Sequence, residues 1–175
     1  MVSRRSAWTF GLIAVSLIAA ALILSPSSYT LRILAPVEGR DLAAVPVAPG
    51  DRFEVKYTHS MYGVPQAETF SILPDGRFHL EKVSFGSQAA ALYYDPDPPQ
   101  PLTYQHGFWV LAGYGTNYPV LRYRVSPGTG HVLTVKGQTI ALSGQAATAG
   151  MHVQIELKEQ SRIVGVFARL WRNIR

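Results

Sequence analysis

The chain has 175 residues, 47% hydrophobic and 15% charged, with no cysteine and a formal net charge of +5. That composition suits one packed domain with appendages, and it rules out disulfides, thiol catalysis, thiolate metal sites and a disordered polyelectrolyte. Arg4, Arg5, Arg162, Arg169, Arg172 and Arg175 hold the basic excess at the two ends, and residues 6–161 carry ten Lys and Arg against eleven Asp and Glu. A nucleic-acid binder shows its excess on the folded domain, so no nucleic-acid partner is expected.

Residues 1–28 form the first unit. Ala7 to Leu24 reads AWTFGLIAVSLIAAALIL, eighteen residues without a charge. As a helix this run spans roughly 27 Å, close to the ~30 Å of a bilayer's hydrocarbon core. Arg4 and Arg5 ahead of it favour a cytoplasmic N-terminus, and Pro26, Ser27 and Ser28 end it. Two roles fit: a retained transmembrane helix, or a signal peptide cut near Ala19-Ala20-Ala21. Either one exports residues 29–158 to the outer side of the cytoplasmic (inner) membrane.

Within residues 29–158 the apolar period is two. Phe53, Val55 and Tyr57 alternate with Arg52, Glu54 and Lys56, and Met151, Val153, Ile155 and Leu157 alternate with His152, Gln154, Glu156 and Lys158. Further strands are predicted at Leu31–Leu34, Leu42–Val47, Thr69–Ile72, Arg77–Val83, Phe108–Ala112, Leu121–Val125, His131–Val135 and Gln138–Leu142. Pro74-Asp75-Gly76, Pro127-Gly128-Thr129-Gly130 and Lys136-Gly137 supply turn chemistry between them. The expectation is an all-β sandwich or partly open barrel of about 8–10 short antiparallel strands. Tyr93 to Pro101, with four prolines in nine residues, reads as a stiff extended loop. Residues 93–123 hold eight of the nineteen aromatics, which suits core packing or the walls of a small-ligand pocket.

No GxSxG, HExxH, Walker A or GxGxxG motif is present, and the five histidines form no i,i+2 or i,i+4 pair that would make a metal half-site. No metal or cofactor is expected. The one polar constellation is His59-Ser60 at the end of a strand, with Glu68 opening the next. A hairpin around Met61 to Gln66 would bring the three close. An imidazole beside a carboxylate and a hydroxyl can act as base and nucleophile. Adjacent strand residues point to opposite faces, however, so a bulge would be needed to aim His59 and Ser60 together. A binding cluster, a small hydrolase site, and a purely structural hairpin with Glu68 paired to Lys or Arg all stay open.

Residues 159–175 close the chain. From Ser161 the sequence reads SRIVGVFARLWRNIR, and at 100° per residue Ile163, Val166, Phe167, Leu170, Trp171 and Ile174 fall within an arc of roughly 140°. Arg162, Arg169 and Arg172 lie opposite. This is the pattern of a basic amphipathic helix at a membrane surface, with Phe167, Leu170, Trp171, Ile174, Arg169 and Arg172 as the contacting residues. Docking on the β domain, or on a partner's membrane-spanning segments, is the alternative.

Several residues carry a resemblance. Phe53 to Phe70, with Tyr57-Thr58-His59-Ser60, Pro65 and Glu68-x-Phe70, is followed by Ser84-Phe85-Gly86, Gly107-Phe108-Trp109 and His131-Val132-Leu133. In that order they resemble an uncharacterised family of small bacterial proteins. Members of that family are often encoded beside, or linked with, the fused membrane subunits of TAXI-type tripartite ATP-independent periplasmic (TRAP) transporters. The likeness spans about residues 52–142. It departs after His-Ser, where the family carries an acidic-basic pair and this chain has Met61-Tyr62-Gly63. The resemblance implies an accessory role beside a transporter membrane subunit or another envelope protein, and no assigned activity. It adds Ser84, Phe85 and Gly86 to His59, Ser60 and Glu68 as binding candidates. Residues 29–158 are too few for a two-lobed substrate receptor.

Overall fold

The computed structural model describes residues 28–94, 101–126, 128–142 and 150–160, with Ser16 alone from the N-terminal segment. The predicted transmembrane and C-terminal helices, and with them Phe167, Arg169, Leu170, Trp171, Arg172 and Ile174, lie outside the described residues. Among the described residues, no helix is long and apolar enough to cross a membrane.

Among the described residues, twelve strands and one short helix succeed one another along the domain: β1 (Tyr29–Ala35), β2 (Arg40–Val47), β3 (Arg52–Thr58), β4 (Pro65–Ile72), β5 (Phe78–Phe85), α1 (Gln88–Tyr93), β6 (Leu102–Gln105), β7 (Phe108–Ala112), β8 (Asn117–Tyr118), β9 (Val120–Val125), β10 (Val132–Val135), β11 (Gln138–Ala141) and β12 (Met151–Glu159). They form a four-stranded sheet in the order β2-β1-β12-β9 and an eight-stranded one in the order β11-β10-β3-β4-β5-β7-β6, with β8 beside β5. Every pairing is antiparallel. Both sheets are open, so of the two expected architectures this is the sandwich.

The period-two pattern explains the core. Tyr29, Leu31, Ile33 and Ala35 of β1 are buried, as are Met151, Val153 and Ile155 of β12 and Phe53 and Val55 of β3, and one cluster joins residues of both sheets. β5 changes phase partway: Phe78 and Leu80 are buried, then Val83 and Phe85. The register shifts at that point, with Thr69 opposite Lys82 but Phe70 opposite Leu80, so Glu81 is the extra residue of a bulge. The half-buried Glu81 pairs with the exposed Arg52 at 2.9 Å.

All ten predicted strands form; β6 and β8 are additional, and α1 is a helix that the sequence pattern did not announce. α1 begins at Ser87, whose side chain accepts from the Ala90 amide, and buries Ala90 and Ala91. The turns explain the rest. Lys136 and Gly137 both have positive φ, as a two-residue type I′ hairpin requires. His106 and Gly107 repeat that geometry between β6 and β7.

The strands run between two poles. At one pole the Gln160 amide donates to the Ser28 carbonyl at 2.9 Å, and the Tyr29 hydroxyl donates to the Pro74 carbonyl of the β4–β5 turn at 2.8 Å. The β3–β4 turn, the β6–β7 turn and the β1–β2 turn all lie at the other pole. The amide of Thr58 donates to the Thr129 carbonyl there, tying the two sheets together.

Candidate functional site

Alternation along β3 and β4 puts Tyr57 in phase with Phe53 and Val55, and Gln66 and Glu68 in phase with Phe70 and Ile72. Three polar side chains therefore enter the space between the sheets. Register sets them side by side, Tyr57 opposite Gln66 and Glu68 opposite Val55. From the facing sheet comes Tyr123 of β9, in phase with the buried Leu121 and Val125.

These four groups form a closed network. The Tyr57 hydroxyl donates to Glu68 Oε1 at 2.6 Å, and the Tyr123 hydroxyl donates to Glu68 Oε2 at 2.6 Å. Gln66 Nε2 donates to the Tyr57 hydroxyl oxygen at 2.6 Å and, more weakly, to Glu68 Oε1 at 3.3 Å. Among the described residues no cation pairs with Glu68, in contrast to the Lys or Arg partner of the structural alternative. Burial raises the Glu68 carboxyl above its ordinary value, while the bonds from Tyr123, Tyr57 and Gln66 pull it back. Burial, followed by the nearby Glu68, pushes the Tyr57 and Tyr123 phenols up and the Tyr94 phenol up to about 12. The tyrosines thus stay protonated and serve as donors.

His131 completes the wall. Its ring stacks on Tyr57 with centroids 4.7 Å apart and planes 8° from parallel. The Thr129 hydroxyl donates to the Ser126 carbonyl at 2.6 Å, so at 2.8 Å from His131 Nδ1 it accepts, which fixes the proton on Nδ1. Burial holds His131 below its ordinary pKa, in the neutral form.

The network borders a cleft of about 410 Å³ whose walls include Tyr57, Glu68, Tyr94, Tyr118, Tyr123 and His131. A second cleft of about 400 Å³, shared with Tyr57 and Tyr94, opens toward His59, Ser60 and Tyr93. Two buried polar atoms nearby, Gln66 Oε1 and the Tyr114 hydroxyl, have no hydrogen-bond partner.

The predicted residues divide between these surfaces. His59 sits in the β3–β4 turn, where its Nδ1 accepts from the amides of Met61 at 3.2 Å and Tyr62 at 3.4 Å. Its side chain caps the turn, as a short polar residue does in an Asx-turn. Ser60 is exposed, and the Tyr57–Gln66 pair separates both residues from Glu68. The three side chains form no relay of nucleophile, base and carboxylate. Ser84 lies on the outer face of the eight-stranded sheet, lining a 420 Å³ depression with Lys56, Ala67, Lys82 and Phe108. Phe85 is fully buried and packs at a tilt against Tyr94, so it presents no surface to a ligand. Gly86 packs against Pro65, and a Cβ there would stand 2.7 Å from Pro65 Cδ. The Ser-Phe-Gly element is thus a core plug followed by a close backbone approach. Among the described residues, no group of three or more His, Asp or Glu is placed to hold a metal ion.

Tyr57, Gln66, Tyr123 and His131 escaped the sequence reading as site residues. A signal was available: each strand places a polar residue in its apolar phase. Which of these meet across the two sheets depends on packing that no local pattern encodes.

Comparison with curated proteins and with solved structures returns no match. The model of one family, described as a domain of unknown function (DUF1850), matches residues 53–142, from Phe53 through Leu142, the first residue beyond β11. That span holds the whole Glu68 network. It includes the eight-stranded sheet apart from Arg52, but only β9 of the four-stranded one. The chain belongs to the DUF1850 family.

Proposed function

We propose that this protein is a membrane-anchored accessory domain of the cell envelope, binding rather than catalysing, which works beside the membrane subunit of a TRAP-type transporter. Residues 7–24 supply the anchor, with the N-terminus in the cytoplasm and the β domain outside. The supporting observation is the hydrogen bond between Gln160 and Ser28. It puts Ser28 and Gln160, the residues next to the apolar N-terminal run and the basic C-terminal run in sequence, at one pole, which supports a single bilayer receiving both runs. The transporter partner rests on the resemblance carried by Tyr57 to Ser60, Glu68 and Ser84 to Gly86. Binding is favoured over hydrolysis because His59 Nδ1 is committed to backbone amides and the Glu68 oxygens to tyrosines.

Purification of the full chain in mild detergent should bring down a multi-spanning transporter subunit. Repeated recovery of the protein alone counts against the partner. A reporter fused after Lys158 that proves cytoplasmic would overturn the topology.

The unpartnered Gln66 Oε1 and Tyr114 hydroxyl favour a second reading, a small-ligand site in the clefts around Tyr57 and Tyr94. Gln66 Oε1 and the remaining lone pairs of Glu68 all accept, so the ligand would bring N–H or O–H donors. Thermal unfolding of the full chain across a panel of small amines and carboxylic acids tests this. A shift for the amines that disappears in Glu68→Gln supports the site; no shift across the panel excludes it for those classes.

A further inference from the structure

The exposed apolar side chains are distributed unevenly between the two poles. Among the described residues the large hydrophobic side chains left exposed are Val37, Met61, Tyr62, Leu92, Tyr93, Tyr104 and Phe108. Strand register and ring contacts place them at or beside the pole away from Ser28 and Gln160. Val37 is in the β1–β2 turn, Met61 and Tyr62 are in the β3–β4 turn, and Tyr104 and Phe108 flank the β6–β7 turn. Leu92 and Tyr93 end α1, which comes after the far end of β5. Among the described residues, the pole bearing Ser28 and Gln160 has none. Single exposed apolar residues are ordinary, but segregation of all of them to one end is not.

Two of the seven, Tyr62 and Tyr93, are in contact, and two more, Met61 and Leu92, adjoin them in sequence. Tyr62 and Tyr93 meet edge to face with centroids 5.9 Å apart, and each also packs on His59, at 5.1 and 6.3 Å. Met61 is 63% exposed and Leu92 68%, one in the same turn as Tyr62 and the other adjacent to Tyr93. His59 is held in turn by the amides of Met61 and Tyr62. The three rings already contact one another in the free chain, which lowers the ordering cost of association. Met61, Tyr62, Leu92 and Tyr93 carry no formal charge. Tyrosines backed by aliphatic neighbours, without charge, are the composition of an interface centre.

We infer that this far pole, centred on Tyr62 and Tyr93, is the docking surface for a water-soluble protein that offers an uncharged apolar face. The inference rests on the anchored topology proposed for the chain. β4 alone carries the chain through eight residues, roughly 23 Å, between the poles. A bilayer at the chain ends therefore cannot cover the patch, and a partner lying within the bilayer would have to rise the length of the sheet to reach it. Pairing of two copies end to end through this pole would point their chain ends in opposite directions, and one membrane could not hold both. A soluble protein on the outer side has neither difficulty.

The test uses the full chain in its native membranes, with a benzophenone side chain in place of Tyr62 or, in a second protein, of the exposed Gln138 at the opposite pole. Irradiation at position 62 should give one saturable adduct with a soluble protein. The adduct should vanish when the soluble extracytoplasmic contents are released beforehand and return when they are restored. Met61→Ser with Leu92→Ser should lower its yield by about tenfold while leaving the thermal midpoint unchanged. Position 138 should give no such adduct. Adducts with lipid, with a second copy or with a membrane-embedded protein overturn the inference, as does no adduct at position 62. An alkaline wash is read separately. A chain stripped from the membrane overturns the anchoring and this inference with it, whereas a retained chain without the adduct overturns this inference alone.

Discussion

Glu68 occupies a position where β4's own alternation calls for an apolar side chain, between Gln66 and the buried Phe70. A carboxyl in such a place is costly unless donors surround it. Tyr57, Tyr123 and Gln66 supply them, and Tyr123 does so across the gap between the sheets. Tyr123→Phe removes that donor and should lower the unfolding free energy by about 1–3 kcal/mol, measured by denaturant titration. The Glu68 pKa should rise further in the same variant, because the lost bond was pulling it down. The group also sets a pH dependence. With its folded pKa raised above the ordinary 4.5, the folded state holds the proton longer than the unfolded chain does. Its contribution to stability is therefore fully present below about pH 4.5 and declines as pH rises through the folded value. His131 works in the other direction: its folded pKa is depressed, so its contribution is present above about pH 6.5 and declines as pH falls through the folded value. Denaturant midpoints measured from acid to neutral pH should show Glu68→Gln gaining on the native protein as pH climbs above 4.5. A constant difference across that range would mean that Glu68 ionises as freely folded as unfolded.

At the scale of single elements, the β3–β4–β5 unit depends on one close contact. The Gly86 amide donates to the Pro65 carbonyl at 2.8 Å, and the Pro65 ring fills the space where a side chain at Gly86 would stand. Gly86→Ala should cost about 1–3 kcal/mol through this overlap, seen as a lower thermal midpoint of unchanged cooperativity. Should the midpoint hold, Pro65 yields more readily than the packed hairpin implies. The strands themselves were legible wherever one face was buried, as in β1, β3, β5 and β12, because alternation there records which side meets the core. β6 left little trace because three of its four residues are exposed, and β8 because it has only two residues. The bulge at Glu81 was hidden as well, since a change of phase within one strand looks like a lapse in the pattern until the partner strand shows its register.

For the molecule as a whole, the family match and the folding unit have different borders. Residues 53–142 include the eight-stranded sheet apart from Arg52, yet β1, β2 and β12, which with β9 make up the facing sheet, lie outside them. Leu31, Ile33, Val153 and Ile155, each essentially inaccessible, belong to those outer strands. Residues 53–142 alone would leave the inner face of the large sheet uncovered. Expressed by itself that segment should aggregate, or bind an apolar dye without a near-ultraviolet circular dichroism signal, whereas residues 28–160 should unfold cooperatively. Cooperative unfolding of the shorter segment would show that β1 and β12 are dispensable. The pairing of β1 with β12 also places Ser28 beside Gln160, at the same pole of the sandwich.

By itself the sequence determined that the chain is built of strands, where most of them run, and which side chains face inward, because burial of one face imposes a period of two on each strand separately. It also marked His59, Ser60 and Glu68 as a polar constellation around one hairpin. Only the tertiary structure decided that Glu68 answers to Tyr57 and Tyr123 while His59 caps a turn, and that the exposed aromatics among the described residues gather at the pole opposite Ser28 and Gln160. Those are relations between strands distant in sequence. They arise from sheet order, register and the facing of two sheets, which alternation within a strand does not specify.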